Sequence, residues 1–219
     1  MYTVISFGSK EPAIYAQCAD RLNNRCLEYS IPAHIEKIDF APNADREQIV
    51  LHKPFFIKRT LQSLKSPVLW FDCDTDLIQP LPKSLPTGDW DVGFAPNTNY
   101  SVKSRIRAIA KFRRRAIYDN PTTGFAIAFN YTEQSLKFLE TWKYLCAWKE
   151  LAAGGDHIRM SWSRLICPVK ERNIAAFLHR RAIINKGRKF ERAAQWSILA
   201  RAQSKMPAGR LMQVSAHPS

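Results

Sequence analysis

No stretch of the 219-residue chain approaches the roughly 18 to 20 apolar residues that a membrane-spanning helix needs. The opening MYTVISFGSK also lacks the cationic start and long apolar run of a secretory leader. Both absences lead us to expect a soluble or peripheral protein of the cytoplasm, with any membrane contact at its inner face. Cys18, Cys26, Cys73, Cys146 and Cys167 form an odd set without a CxxC pair, which argues against a disulfide framework or a zinc knuckle and fits a reducing compartment. Cys73, inside an acidic motif, reads as a small buried hydrophobe. Repeats and low-complexity segments are missing too. Acidic residues are scarce toward the C-terminus: residues 159–219 hold 13 Lys and Arg against 2 Asp and Glu, whereas residues 1–100 hold 10 against 12.

What is present suffices for a folded domain. A hydrophobic content of 46%, with 11% aromatic residues, can bury one core, expected over 1–202, with a basic and flexible tail over 203–219. The net charge of +14 is concentrated in the C-terminal part and in Ser101–Ile117, where seven cations (Lys103, Arg105, Arg107, Lys111, Arg113, Arg114 and Arg115) meet no acid. Such fields attract phosphates, acidic glycans, anionic lipid or nucleic acid. No zinc-finger or RNA-recognition signature accompanies the charge, so nucleic acid is the disfavoured partner and a basic nucleic-acid-binding protein remains an alternative.

Apolar runs alternate with helical patterns through the first half, the signature of an α/β fold with a central, mostly parallel sheet flanked by helices. Thr3–Phe7 reads as a strand. Ala13–Tyr29 places Ile14, Cys18, Leu22 and Cys26 on one helical stripe, His34–Phe40 alternates like a strand, and Pro54–Leu64 reads as a helix opened by proline. Val68–Phe71 is apolar at every position, as a strand buried on both faces requires. Asp91–Ala95 and Gly124–Asn130 are further strands, and the basic stretch between them reads as a lid or acceptor-side insertion. Glu133–Ala152 has helical spacing that makes Trp142 a core residue.

The buried strand ends directly in Asp72, Cys73, Asp74, Thr75 and Asp76, where open α/β sheets bind their ligands. Three aspartates at alternate positions are costly without a cation, and Mg2+ or Mn2+ suit carboxylate oxygen shared with phosphate. A divalent ion on Asp72 and Asp74 could bridge the diphosphate of a nucleotide sugar and neutralise the departing group. A calcium loop of the EF-hand kind is excluded, because its sixth and twelfth positions are Leu77 and Lys83 in place of Gly and Glu. Two alternatives stay open: a haloacid-dehalogenase-like phosphatase with Asp72 as nucleophile and Asp74 as general acid, and an acidic turn that merely caps a strand.

SPVLWFDCDTDLIQPLP resembles the central segment of the GT-A fold, DxD-containing nucleotide-sugar glycosyltransferases, bacterial galactosyltransferase-like members in particular. Weaker similarity runs from Thr3 to His179 through VISFGS, KPFFIKRTLQSL, TTGFAIAFN and GGDHIRMSW. The resemblance implies a single Rossmann-like GT-A domain. Its activity would be metal-dependent transfer of a hexose from a nucleoside-diphosphate sugar, a UDP-sugar first among them, in polysaccharide biosynthesis. The acceptor would be a glycan or a lipid-linked chain, with the basic C-terminal part resting on the membrane. It implies that Asp72 faces the ribose and metal and that Asp74 is the principal metal ligand, and it leaves Asp76 without a role. Phe7, Gly8 and Ser9 would line the uridine pocket, Gly8 permitting close backbone approach. Thr123 and Gly124 would lie beside the donor sugar, and Asp156 would act at the acceptor as base or orienting group. His179 would be a third metal ligand, and Lys186, with Arg180 and Arg181, would grip the diphosphate. Lys53, Lys58 and Arg59 read as exposed helix charge.

Overall fold

Period-two alternation in the first strands decides the layering. The computed structural model describes residues 1–11, 13–41, 44, 46–96, 122–147, 156–174, 178 and 183–185. Strand β1 (Thr3–Ser9) sends Val4 to one face and Ile5 and Phe7 to the other. Strand β3 (Val68–Phe71) does the same with Leu69 and Phe71 against Val68 and Trp70, and all four of its residues are buried. Strand β6 (Thr122–Phe129) repeats the pattern with Ala126 and Ala128 against Ile127 and Phe129.

Each face is then covered by helices. On one, helix α1 (Ala13–Glu28) buries Cys18, Ala19, Leu22 and Cys26. On the other, α3 (Lys53–Leu64) contributes Phe56, Ile57 and Leu61, and α4 (Glu133–Ala147) contributes Phe138, Leu139 and Trp142. Trp142 is fully buried, as its place on an amphipathic helix predicts. Pro54 opens α3 without cost because the first helical N–H groups have no intrahelical partner. A left-handed Lys65 (φ 48°) closes it, its N–H donating to the Leu61 carbonyl.

The six-stranded sheet has the order β2-β1-β3-β6-β5-β7, with β2 at Ala33–Ile38, β5 at Val92–Pro96 and β7 at Glu171–Asn173. Five strands share one direction and β6 opposes them, pairing antiparallel with both β3 and β5. The expected α/β architecture, a mostly parallel sheet flanked by helices, is what the chain adopts. Because β6 runs backwards, its first residues lie at the edge where β3 and β5 end, and the pairing of Pro96 with Thr122 closes that edge. A two-stranded sheet joins β4 (Thr75–Leu77) to β8 (Ile183–Asn185).

Several short elements go beyond what the sequence pattern reveals: α2 (Arg46–Leu51), β4, α5 (Asp156–Ile166), β7 and β8. A three-residue strand carries too little alternation to be recognised. The compact unit runs from Met1 to Asn185. Residues 186–219, including the expected tail, and the basic stretch Ser101–Ile117 lie outside the described residues. Among the described residues no helix is long and apolar enough to cross a membrane.

Candidate active site

The acidic motif leaves the carboxyl end of β3 in a tight reversal. The Thr75 N–H donates to the Asp72 carbonyl at 2.9 Å, closing a four-residue turn that displays Asp72 first and Asp74 third. Aspartate suits such turns because it favours their opening position. The Asp72 N–H continues the ladder by donating to the Phe125 carbonyl at 2.9 Å, so the turn is tied to the start of β6.

Asp72 is fixed from below. Its Oδ1 accepts from the Trp70 indole N–H at 3.1 Å and pairs with the Lys53 ammonium at 2.8 Å. The side chain is 31% exposed. Asp74 is half-buried beside it in sequence. Burial, then the charges of Asp74 and Asp72, push the Cys73 thiol well above its ordinary value, so this cysteine stays protonated and serves as packing, as its position in the motif suggests.

Asp76 is held on the α1 side. It is the middle residue of β4, opposite Ile184, and its buried carboxylate lies 3.9 Å from Arg21 Nε and 3.7 Å from Arg25 Nε on α1. Its partners are helix cations, so it fastens the β4–β8 ribbon to α1. The sequence shows three equivalent acids; the structure pairs Asp72 with Lys53 on α3 and Asp76 with arginines on α1, and the charges of Asp74 and Asp76 both act on Cys18 of α1.

The proposed nucleotide-facing residues have structural partners of their own. Phe7 is buried in an aromatic cluster with Phe40, His52, Phe56 and Trp70, at centroid distances of 6.0, 5.5, 5.3 and 5.5 Å. The close approach that Gly8 permits is made by α1: a Cβ there would fall 2.3 Å from the Tyr15 carbonyl oxygen. Ser9 is buried, and its hydroxyl donates to the Glu11 carbonyl. Thr123 and Gly124 belong to β6, with Thr123 opposite Ala95. Asp156 is the first residue of α5, where an acid favours the helix dipole. His179, Arg180, Arg181 and Lys186 lie outside the described residues.

One correction concerns the helix cations. Lys58 and Arg59 are paired with Glu140 and Glu36, as surface charges are. Lys53, expected to be exposed, is 4% accessible and sits on Asp72. The signal that could have found it is its place at the first residue of a helix, where a cation opposes the dipole.

The neighbouring His52 gives a pH signature. Burial, then the positive charge of Arg59, lowers its pKa from the usual 6.5, although Glu36 works the other way. Below pH 6.5 the unfolded chain binds a proton that the folded chain resists, so this contribution to stability is complete above that pH and is lost as pH falls. Melting temperatures measured from pH 7.5 to 5.5 should therefore fall more steeply for the natural protein than for His52→Gln.

No protein-family model matches the chain, and no curated protein matches its sequence. Among solved structures it is similar to a glycosyltransferase involved in the glycosylation of the major capsid of PBCV-1, with a TM-score of 0.59 over 89% of this chain and 98% of that one. The fold is shared with a glycosyltransferase. At 8% identity the likeness is one of architecture. In this glycosyltransferase-like sheet the aspartate turn occupies the carboxyl edge, the edge at which α/β folds bind ligands. Two carboxylates are hard oxygen donors, and Mg2+ and its kin are commonly held by one or two carboxylates plus substrate phosphates. Among the described residues no group of three metal-ligating side chains exists.

Proposed function

We propose that the protein is a metal-dependent glycosyltransferase that takes its sugar from a nucleoside-diphosphate donor. The observation that carries this reading is the turn at the end of β3, which sets Asp72 and Asp74 at its first and third positions at the carboxyl edge of a sheet whose fold is shared with a glycosyltransferase. Asp72 and Asp74 would hold Mn2+ or Mg2+ jointly with the diphosphate. When bound, the cation offsets the negative charge that grows on the departing diphosphate.

The chain's own residues have distinct tasks in this scheme. Lys53 and Trp70 keep Asp72 in one orientation. The Asp72 N–H bonded to Phe125 links that orientation to β6, so Thr123 and Gly124 keep a fixed register against the turn and would border the sugar. A held geometry of this kind lowers the entropic part of the barrier. Asp156 is the proposed acceptor-side base, His179 a third ligand and Lys186 a diphosphate contact. The acceptor would be a glycan or a lipid-linked chain, with the basic C-terminal part against an anionic surface.

The experiment is to incubate the protein with Mn2+ and a panel of UDP- and other nucleotide sugars. Release of nucleoside diphosphate, together with thermal stabilisation by Mn2+ and UDP, is the expected result. Cleavage of simple phosphate esters with neither effect would return the assignment to the phosphatase alternative.

A further inference from the structure

Helix α5 (Asp156–Ile166) has the burial of its two sides exchanged. A surface helix ordinarily turns its apolar stripe to the core and its polar residues to water. The core-facing side of α5 instead carries Arg159 and Ser163, both fully buried, beside Met160. The Ser163 hydroxyl is satisfied there by donating to the Arg159 carbonyl at 2.9 Å. Leu165 and Ile166 are 68% and 59% exposed, and half-buried Trp162 precedes them by three and four residues, so the three share one outward stripe. Tyr131, 40% exposed just ahead of α4, stands at the same end of α5, where Gln134 of α4 donates to the Pro168 carbonyl. Single exposed hydrophobic residues are ordinary. A helical stripe of them, with an arginine buried behind, marks a surface that meets something.

We infer that the outward stripe of α5 is an apolar anchor that holds the protein on an anionic lipid bilayer. Charge decides between a bilayer and a second copy of the chain. The net charge of +14 opposes association of two copies, whereas it draws the protein to anionic lipid. Helix α5 also opens a stretch of sequence, 159–219, with 13 Lys and Arg against 2 Asp and Glu. Stable attachment at an interface takes two signals, and an apolar wedge on a cationic chain supplies both. Tryptophan and tyrosine suit the headgroup region because their rings are apolar while their polar atoms stay wet. The stripe adds an apolar element to the electrostatic contact proposed above and needs neither donor nor metal.

The test is co-sedimentation of the full chain with vesicles of phosphatidylcholine, alone or with one quarter phosphatidylglycerol. The natural protein should bind the mixed vesicles at least about tenfold more tightly than the neutral ones, and less tightly as salt rises. Leu165→Ser combined with Ile166→Ser should weaken binding to the mixed vesicles by about tenfold or more, with the salt dependence retained. Leu27→Ser, which removes a leucine 67% exposed on α1, should leave binding unchanged. Urea melts report whether the double variant is folded. If it is not, Leu165→Ser alone replaces it, with a loss of about threefold or more expected. Equal binding by the natural protein and the folded variant, or no binding to the mixed vesicles, would overturn the inference. So would a dimer in sedimentation equilibrium that the double variant disperses, because the stripe would then be a contact between copies. Stabilisation by Mn2+ and UDP is measured without lipid, so the donor-binding reading stands or falls separately.

Discussion

Asp74→Asn should reduce sugar transfer by about a thousandfold while leaving the protein folded, and Asp76→Asn should do the reverse. The first expectation follows from the position of Asp74 on the turn at the ligand edge. A carboxylate that helps hold a cation on a departing diphosphate contributes several kcal/mol to the transition state, and about 4 kcal/mol corresponds to three orders of magnitude in rate. The second follows from the arginines. Asp76 lies in β4 with a side chain 6% exposed, and its carboxylate answers Arg21 and Arg25 on α1. Neutralising it takes an ion-pair partner from both arginines where the ribbon meets the helix, although Arg25 keeps Glu28 at 2.6 Å. Because the arginines are partly exposed, a loss of about 1–3 kcal/mol is expected, below the range for a fully buried pair. Asp72→Asn should combine both effects, since it removes a ligand and takes from the buried ammonium of Lys53 a partner at 2.8 Å. Donor hydrolysis and urea denaturation, measured on all three variants, check the pattern. Equal losses of activity at Asp74 and Asp76 would contradict the division of the motif.

Gly8→Val should be the most damaging single substitution for folding. Even the first side-chain carbon would meet backbone, with the Tyr15 carbonyl oxygen at 2.3 Å and the Ala19 Cβ at 2.9 Å. Neither partner can yield cheaply. Strand β1 is held between β2 and β3 by hydrogen bonds on both sides, and α1 is held by Leu22 and Cys26 in the core. Relief therefore requires α1 to lift from the sheet, at a cost of about 3 kcal/mol or more. Gly88 is a useful contrast: nothing lies within 4 Å of its missing Cβ, and its φ of 120° alone makes a side chain unfavourable. Urea midpoints for Gly8→Ala, Gly8→Val and Gly88→Ala should fall in that first pair well below the third.

The long, periodic parts of the fold were legible in the sequence. The stripe Cys18, Leu22 and Cys26, the run Val68–Phe71 and the helix containing Trp142 all declare their burial by spacing, and the aspartates follow the buried strand as the pattern predicts. The direction of β6 was not legible, because an apolar strand reads alike whichever way it runs. Nor was the fate of Asp76. Spacing by two suggests a shared face, and only the hydrogen bond from Thr75 to Asp72 reveals that the chain has turned before the third acid. Lys53 escaped for a different reason: Lys58 and Arg59 look the same in sequence, and what separates them is a tryptophan and an aspartate contributed by another element.

The backward course of β6 has one more consequence. The pairing of Pro96 with Thr122 sets the end of β5 beside the start of β6, at the edge from which Asp72 emerges. The start of β6 is thereby tied to two strands at once, to β5 through Pro96 and to β3 through the Asp72 N–H on Phe125, so a disturbance at either strand end is felt at the other.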